Sequence, residues 1–310
     1  MPNGKRLAWA ALLMLAGLAV CVHAQPPGRR AGGPPRKDRP LPPGVKVERD
    51  IEYVAGGGKS RSLDLYLPME SESKTMPLIV WIHGGAWLGG DKAGCPAVRF
   101  VRRGYAVASI NYRLSQEAIF PAQLHDCKAA IRWLHANAEK YGIDPDRVGV
   151  WGASAGGHLV ALLGTTGDVK DLEGDEGNLK YSSRVQAVCD WFGPTDFTKM
   201  SAFPTSMKHD APDSPEAKLI GGPVQENKDK AARANPITYA AKTAPPFLIM
   251  HGDKDPLVPH NQSELLDETL KKAGVDVTFH TVEGAGHGFG GPDADKMVEV
   301  FFDRVLKGKK

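Results

Sequence analysis

Short apolar runs alternate along this chain with stretches whose apolar positions recur every three or four residues. Segments 46–54 and 61–67 flank Gly56-Gly57-Gly58 and read as a hairpin, with Leu63, Leu65 and Leu67 on one face. The run from Pro77 to Ile82 is apolar almost throughout, as a central strand buried on both faces requires. Further strands are expected over 105–110, 148–153, 185–191, 247–250 and 275–282. Helical spacing marks 96–103, the stretch after Ser154, 262–273 and 295–306, and a long helix over 120–141 ending at Gly142. Strands alternating with helices in this way imply an α/β chain, a mostly parallel sheet with helices on both faces. Segments 71–76 and 167–183 read as polar surface loops. The stretch 197–235 has scattered prolines, few apolar residues and no sustained period, so it is expected to be an irregular lid or binding loop that shares in substrate selection.

Four breaks between elements carry chemistry. In Val150-Trp151-Gly152-Ala153-Ser154-Ala155-Gly156-Gly157-His158 an apolar strand ends on small residues at a serine and resumes as a helix. Glycines two positions either side of Ser154 let the strand and helix backbones nearly touch, and the turn lifts the hydroxyl clear of the sheet. Successive glycines are costly in an ordinary helix, so Gly156-Gly157 points to a close backbone crossing. His83-Gly84-Gly85-Ala86-Trp87 follows the strand at 77–82, and His251-Gly252-Asp253-Lys254-Asp255 follows the strand at 247–250. Gly284-Ala285-Gly286-His287-Gly288-Phe289 comes last, which sets the order Ser, Asp, His. A serine hydroxyl is hardly ionised at neutral pH and needs a base, for which His287 in its glycine-rich loop is suited. An aspartate, Asp253 or Asp255, would hold the imidazole in the proton-accepting tautomer.

These four motifs, in this order, resemble the α/β-hydrolases, close to the hormone-sensitive-lipase-like carboxylesterases and the feruloyl/acetyl-xylan esterase group. The resemblance runs from Val47 to the C-terminus and implies an eight-stranded, mostly parallel sheet with helices on both faces and a partial lid insertion. It implies a catalytic triad of Ser154, Asp255 and His287, since the family places its acid as in His251-Gly252-x-x-Asp255-x-x-Val258; Asp253 then braces its loop. It also implies that the amides of Gly84, Gly85 and Ala155 form an oxyanion hole. His83 is expected to orient its loop, and His158 and the pair His125-Asp126 to be structural. Trp87, Trp191 and Phe192 follow strands near the site, where they either bind substrate or pack as core. The implied activity is hydrolysis of a small-molecule or polysaccharide ester, with no cofactor. Two other readings share the motifs: a serine peptidase of the prolyl-oligopeptidase type, for whose propeller the chain has no room, and a catalytically silent hydrolase fold used for binding.

Composition adds limits. A length of 310 residues with 42% hydrophobic content suffices for one full catalytic domain, placed at 46–310. The formal charge is +3, and removal of residues 1–24 takes away Lys5 and Arg6 and no acid, so nothing suggests a nucleic-acid partner. Lys5-Arg6, an apolar stretch from Leu7 to Val20 and Val22-His23-Ala24 form a signal peptide with cleavage after Ala24, so a secreted or periplasmic protein without a membrane span is expected. Leu18-Ala19-Val20-Cys21 also resembles a lipoprotein box, with valine in place of the usual small residue before Cys21. Segment 25–45, crowded with Pro, Gly and Arg, reads as a disordered tether. The mature chain keeps Cys95, Cys127 and Cys189, expected as free thiols, and no clustered Cys or His motif supports a metal.

Overall fold

The computed structural model describes residues 40–70 and 74–308; the expected leader, most of the expected tether and part of the loop at 71–76 lie outside the described residues. The folded unit starts at Pro40, earlier than expected. Leu41 packs on the core, and the Val45 amide donates to the Pro42 carbonyl (3.2 Å), so the tether's last residues belong to the sheet's edge.

The strands are β1 (Val45–Glu52), β2 (Ser62–Pro68), β3 (Met76–Ile82), β4 (Ala106–Ile110), β5 (Ile143–Ala153), β6 (Ala187–Trp191), β7 (Phe247–Gly252) and β8 (Val277–Val282). They form one eight-stranded sheet in the order β1-β2-β4-β3-β5-β6-β7-β8. The β1–β2 and β2–β4 pairs are antiparallel and the rest parallel, which is the α/β-hydrolase architecture. Alternation along β3 divides the core: Leu78, Val80 and Ile82 face one layer, Ile79 and Trp81 the other. The first layer is built on α1 (Ala122–Ala136), α2 (Ala138–Tyr141), α3 (Ala155–Thr165) and later α6 (Asn261–Lys272); the second holds a 3₁₀ segment (Pro96–Arg103) and the closing helix α7 (Pro292–Lys307). Among the described residues no helix is long and apolar enough to cross a membrane.

Three expectations are corrected. The stretch 96–103 is 3₁₀ rather than α-helical, starting at Pro96 and closed by Gly104 in the left-handed region. The helix expected over 120–141 breaks at Asn137, whose Nδ2–H donates to the Trp133 carbonyl (2.8 Å). The stretch 197–235 is not irregular. It contains α4 (Pro215–Ile220), α5 (Lys228–Ala234) and two 3₁₀ turns (Phe197–Ala202 and Val224–Glu226), too short for a period to show. The loop at 167–183 is tied down from beneath by buried cations of α1, where Arg132 donates to the carbonyls of Glu173, Glu176 and Gly177.

The chain crosses from β4 on one side of β3 to β5 on the other, so the loops after β3 and β5 meet at a topological switch point. Ligand sites in open α/β sheets form there, beyond the carboxyl ends of the strands. Behind this point Asp190 of β6 is fully buried against α3. Its Oδ1 accepts the Gly193 amide (3.0 Å) while its Oδ2 has no partner among the described residues, and burial pushes the carboxyl up to about 7. Between its ordinary pKa of about 3.9 and about 7 the folded chain therefore holds a proton that the unfolded chain releases, and stability falls as pH rises through that window. Asp190→Asn should flatten this slope and stabilise the protein at pH 8 by roughly 1–3 kcal/mol, read as unfolding midpoints in urea between pH 5 and 8.

Candidate active site and family

The turn between β5 and α3 holds Ser154 at φ 57°, ψ −123°, a strained conformation for a residue with a side chain. The Ser154 amide donates to the Trp191 carbonyl (2.9 Å), and its own carbonyl accepts the His158 amide (3.0 Å). A Cβ on Gly152 would run into the Gly156 carbonyl, and one on Gly156 into the Ile82 carbonyl at the end of β3. The glycines are thus required by contact, as their spacing predicts.

Asp255 and His287 come from the loops after β7 and β8. His287 Nε2 lies 3.0 Å from Ser154 Oγ, and its Nδ1–H donates to Asp255 Oδ2 (2.7 Å). The other carboxylate oxygen, Oδ1, accepts the amides of Leu257 (2.8 Å) and Val258 (3.0 Å). Burial alone would raise the Asp255 pKa, but the hydrogen bonds from His251 and His287 and from the Leu257 amide outweigh it and hold the carboxyl well below the usual range. Asp253 is half-exposed and accepts the Gly284 amide (2.6 Å), and the Lys254 amide donates to the Ala285 carbonyl (2.9 Å). Asp253 thereby ties the loop of Asp255 to the loop of His287.

Gly84, Gly85 and Ala155 surround the serine. A Cβ on Gly84 would sit 3.2 Å from Ser154 Cβ, and Gly85 is at φ 115°. Among the described residues their three amides have no acceptor, which leaves donors free to meet a developing oxyanion. His83 donates from Nδ1 to the Gly84 carbonyl (2.8 Å) and stacks on Tyr112, whose hydroxyl donates to the His83 carbonyl (3.0 Å), so His83 holds this loop.

The aromatic residues divide. Phe192 lines the cleft with its ring 4.7 Å from that of His287. Trp87 also borders the cleft, but its indole is buried against His158 and Phe197. Trp191 is a correction: it does not line the cleft. The alternation of β6 turns it, with Ala187 and Cys189, into the opposite core layer against Trp151 and Phe289. His158 is fully buried, donates to the Ala234 carbonyl (2.7 Å) and is pushed down to about 4 by burial, which keeps it neutral. Asp126 is buried and receives the backbone and guanidinium of Arg113, while His125 packs under Gly174.

Two groups escaped the sequence reading. His251 is buried beside the triad, donating from Nε2 to Asp255 Oδ2 (3.2 Å) and the Val258 carbonyl (3.1 Å) while Ser263 Oγ–H donates to its Nδ1 (2.7 Å). Its adjacency to Gly252-x-x-Asp255 was the available signal. His209 and Glu216, from 197–235, complete one wall of the cleft and belong to no motif. The cleft has a volume of about 380 Å³. Cys95, Cys127 and Cys189 are free thiols, and no group of side chains among the described residues could hold a metal ion.

The BD-FAE family model matches residues 63–270, spanning β2 to α6. The chain belongs to the BD-FAE family. Among curated relatives of this BD-FAE protein, Esterase LipQ of Mycobacterium tuberculosis is 32% identical over 245 residues, covering 77% of this chain and 56% of LipQ. The chain thus spans little more than half of that relative's length. Among solved structures, a truncated form of a carbohydrate esterase from gut microbiota superposes with a TM-score of 0.80 at 39% identity, over 84% of this chain and 96% of the other. A bifunctional GH43-CE protein of Bacteroides eggerthii gives a TM-score of 0.78 at 40% identity, over 83% of this chain and 38% of the other.

The two neighbouring aspartates separate by experiment. Asp255→Asn should lower kcat on 4-nitrophenyl acetate by about 10⁴-fold by favouring the wrong imidazole tautomer. Asp253→Asn, which only loosens the loop tie, should lower it by less than about tenfold and chiefly reduce the unfolding midpoint.

Proposed function

We propose that this BD-FAE protein is a serine carboxylesterase that removes acyl groups, acetyl or feruloyl, from carbohydrate esters. The observation that carries the reading is the continuous relay from Ser154 Oγ through His287 to Asp255, at 3.0 and 2.7 Å, beside three amides without acceptors among the described residues. Ser154 Oγ attacks the ester carbonyl carbon while its proton passes to His287 Nε2. Asp255 stabilises the imidazolium, and the carbonyl oxygen, now an anion, takes hydrogen bonds from Gly84, Gly85 and Ala155. The C–O bond to the alcohol breaks as His287 returns the proton to the leaving oxygen, leaving an acyl-serine. Water then attacks that ester with His287 as base, releasing the acid and restoring the serine.

The carbohydrate half of the reading draws support from the two structural neighbours, and from a cleft at the lower end of the size range for small-molecule sites, about 300–1,000 Å³. Short or planar acyl groups suit walls formed by Phe192, Pro194 and Val258. Export by the leader-like segment 1–24 belongs to the same proposal, since a polysaccharide substrate is met outside the cell.

Ser154→Ala should lower turnover of 4-nitrophenyl acetate by about 10⁴-fold or more and abolish labelling by a fluorophosphonate probe. On a panel of acetylated xylan, methyl ferulate, a long-chain triglyceride and a proline dipeptide anilide, the first two should be cleaved fastest. Cleavage of the anilide alone would replace the esterase reading with a peptidase.

A further inference from the structure

The wall supplied by 197–235 contains a buried pair that the relay does not use. Ser214 caps α4, its Oγ accepting the Ala217 amide (3.1 Å), and Pro215 then sets Glu216 in the first turn. Glu216 Oε1 lies 3.0 Å from His209 Nδ1, and His209 Nε2 lies 2.9 Å from the Leu257 carbonyl. A carbonyl only accepts, so Nε2 carries a hydrogen, and one further proton is shared between Nδ1 and Oε1. Burial opposes charge on the ring, but the hydrogen bond and charge of Glu216 outweigh it and raise the His209 pKa above its ordinary value. That favours an imidazolium facing a carboxylate, with no net charge on the pair.

The second carboxylate oxygen, Glu216 Oε2, is buried and has no partner among the described residues, although Glu216 lines the cleft. An orphan carboxylate oxygen shielded from water is costly until a donor reaches it. The only other unpartnered buried side-chain atom among the lining residues is Trp87 Nε1, itself a donor. The lining therefore leaves one donor and one acceptor unpaired, and Glu216 Oε2 is the one buried acceptor among them. A substrate cation would gain little, because the pair is neutral overall; a hydroxyl needs only the lone pair.

We propose that Glu216 Oε2 receives a hydroxyl group from the non-reacting part of the ester, making the cleft selective for hydroxylated esters over their O-alkylated counterparts. The inference rests on the esterase reading above and names a binding contact within it. A sugar hydroxyl beside the acylated carbon and the phenol of a feruloyl group offer the same donor chemistry.

Two matched pairs of esters separate these sources: a mono-acetylated methyl xyloside with its fully O-methylated counterpart, and methyl ferulate with its 4-O-methyl ether. The wild type should cleave the free-hydroxyl member of one pair at least about tenfold better in kcat/KM. Glu216→Leu should bring that ratio to within about threefold, mostly through KM. Glu216→Gln keeps a partner for His209 and offers a neutral carbonyl in place of the carboxylate, so it should lower the ratio in the same direction by a smaller factor, which covers a Leu variant that fails to fold. The pair that responds identifies a sugar or a phenolic donor. A wild type with no preference in either pair, or ratios that both variants leave intact, would overturn the subsite. Failure to hydrolyse any of the four esters or 4-nitrophenyl acetate would instead bring down the esterase reading itself.

Discussion

The site depends on backbone touching backbone at the switch point of the sheet. Gly156 meets the Ile82 carbonyl at the end of β3, Gly152 meets the Gly156 carbonyl, and Gly84 meets the Ala153 carbonyl and the Ser154 side chain. A single added methyl group at any of these would push the serine turn away from the loop that carries the free amides. Because protein interiors are close-packed, such a displacement has no void to relax into. The nucleophile and the oxyanion donors are therefore positioned by what their neighbours lack, and the strained φ of Ser154 is held by hydrogen bonds on both sides of it.

The other half of the site is held by polar bonds in place of close contact. The acid and base loops follow parallel strands β7 and β8, and Asp253 and Lys254 join them through Gly284 and Ala285. Asp255 receives two imidazoles on one oxygen and two amides on the other, so its carboxylate has little freedom to turn. His251 in turn is fixed by Ser263 from α6, so a helix of the supporting layer reaches the triad through one side chain. Orientation of the base is thus set several residues from the reacting atoms.

Most of this was legible in the chain because each catalytic group sits at a strand end marked by glycine, and glycine at a forced contact leaves a pattern. The strands were legible from unbroken apolar runs. Trp191 was left between substrate binding and core because position after an apolar run does not tell which face of the sheet a residue meets; counting alternation from Cys189, which shares its layer, decides it. The helix at 120–141 kept its period across Asn137, so the break left no apolar signal. Within 197–235 the helices span only a turn or two, and their trace is chemical: Ser214-Pro215-Glu216 before Gly221 is a helix start and stop. His209 and Glu216 meet only in the fold, and no spacing announces them.

The three thiols have a consequence for how the fold is reached. Cys127 and Cys189 are buried in different core layers and Cys95 lies on the second, none bonded to another. No covalent staple closes any loop of the described chain, so its stability comes from burial, hydrogen bonds and ion pairs such as Lys92–Asp64 and Arg113–Asp126. Reaching the native packing of this unit therefore requires no oxidation of its described cysteines.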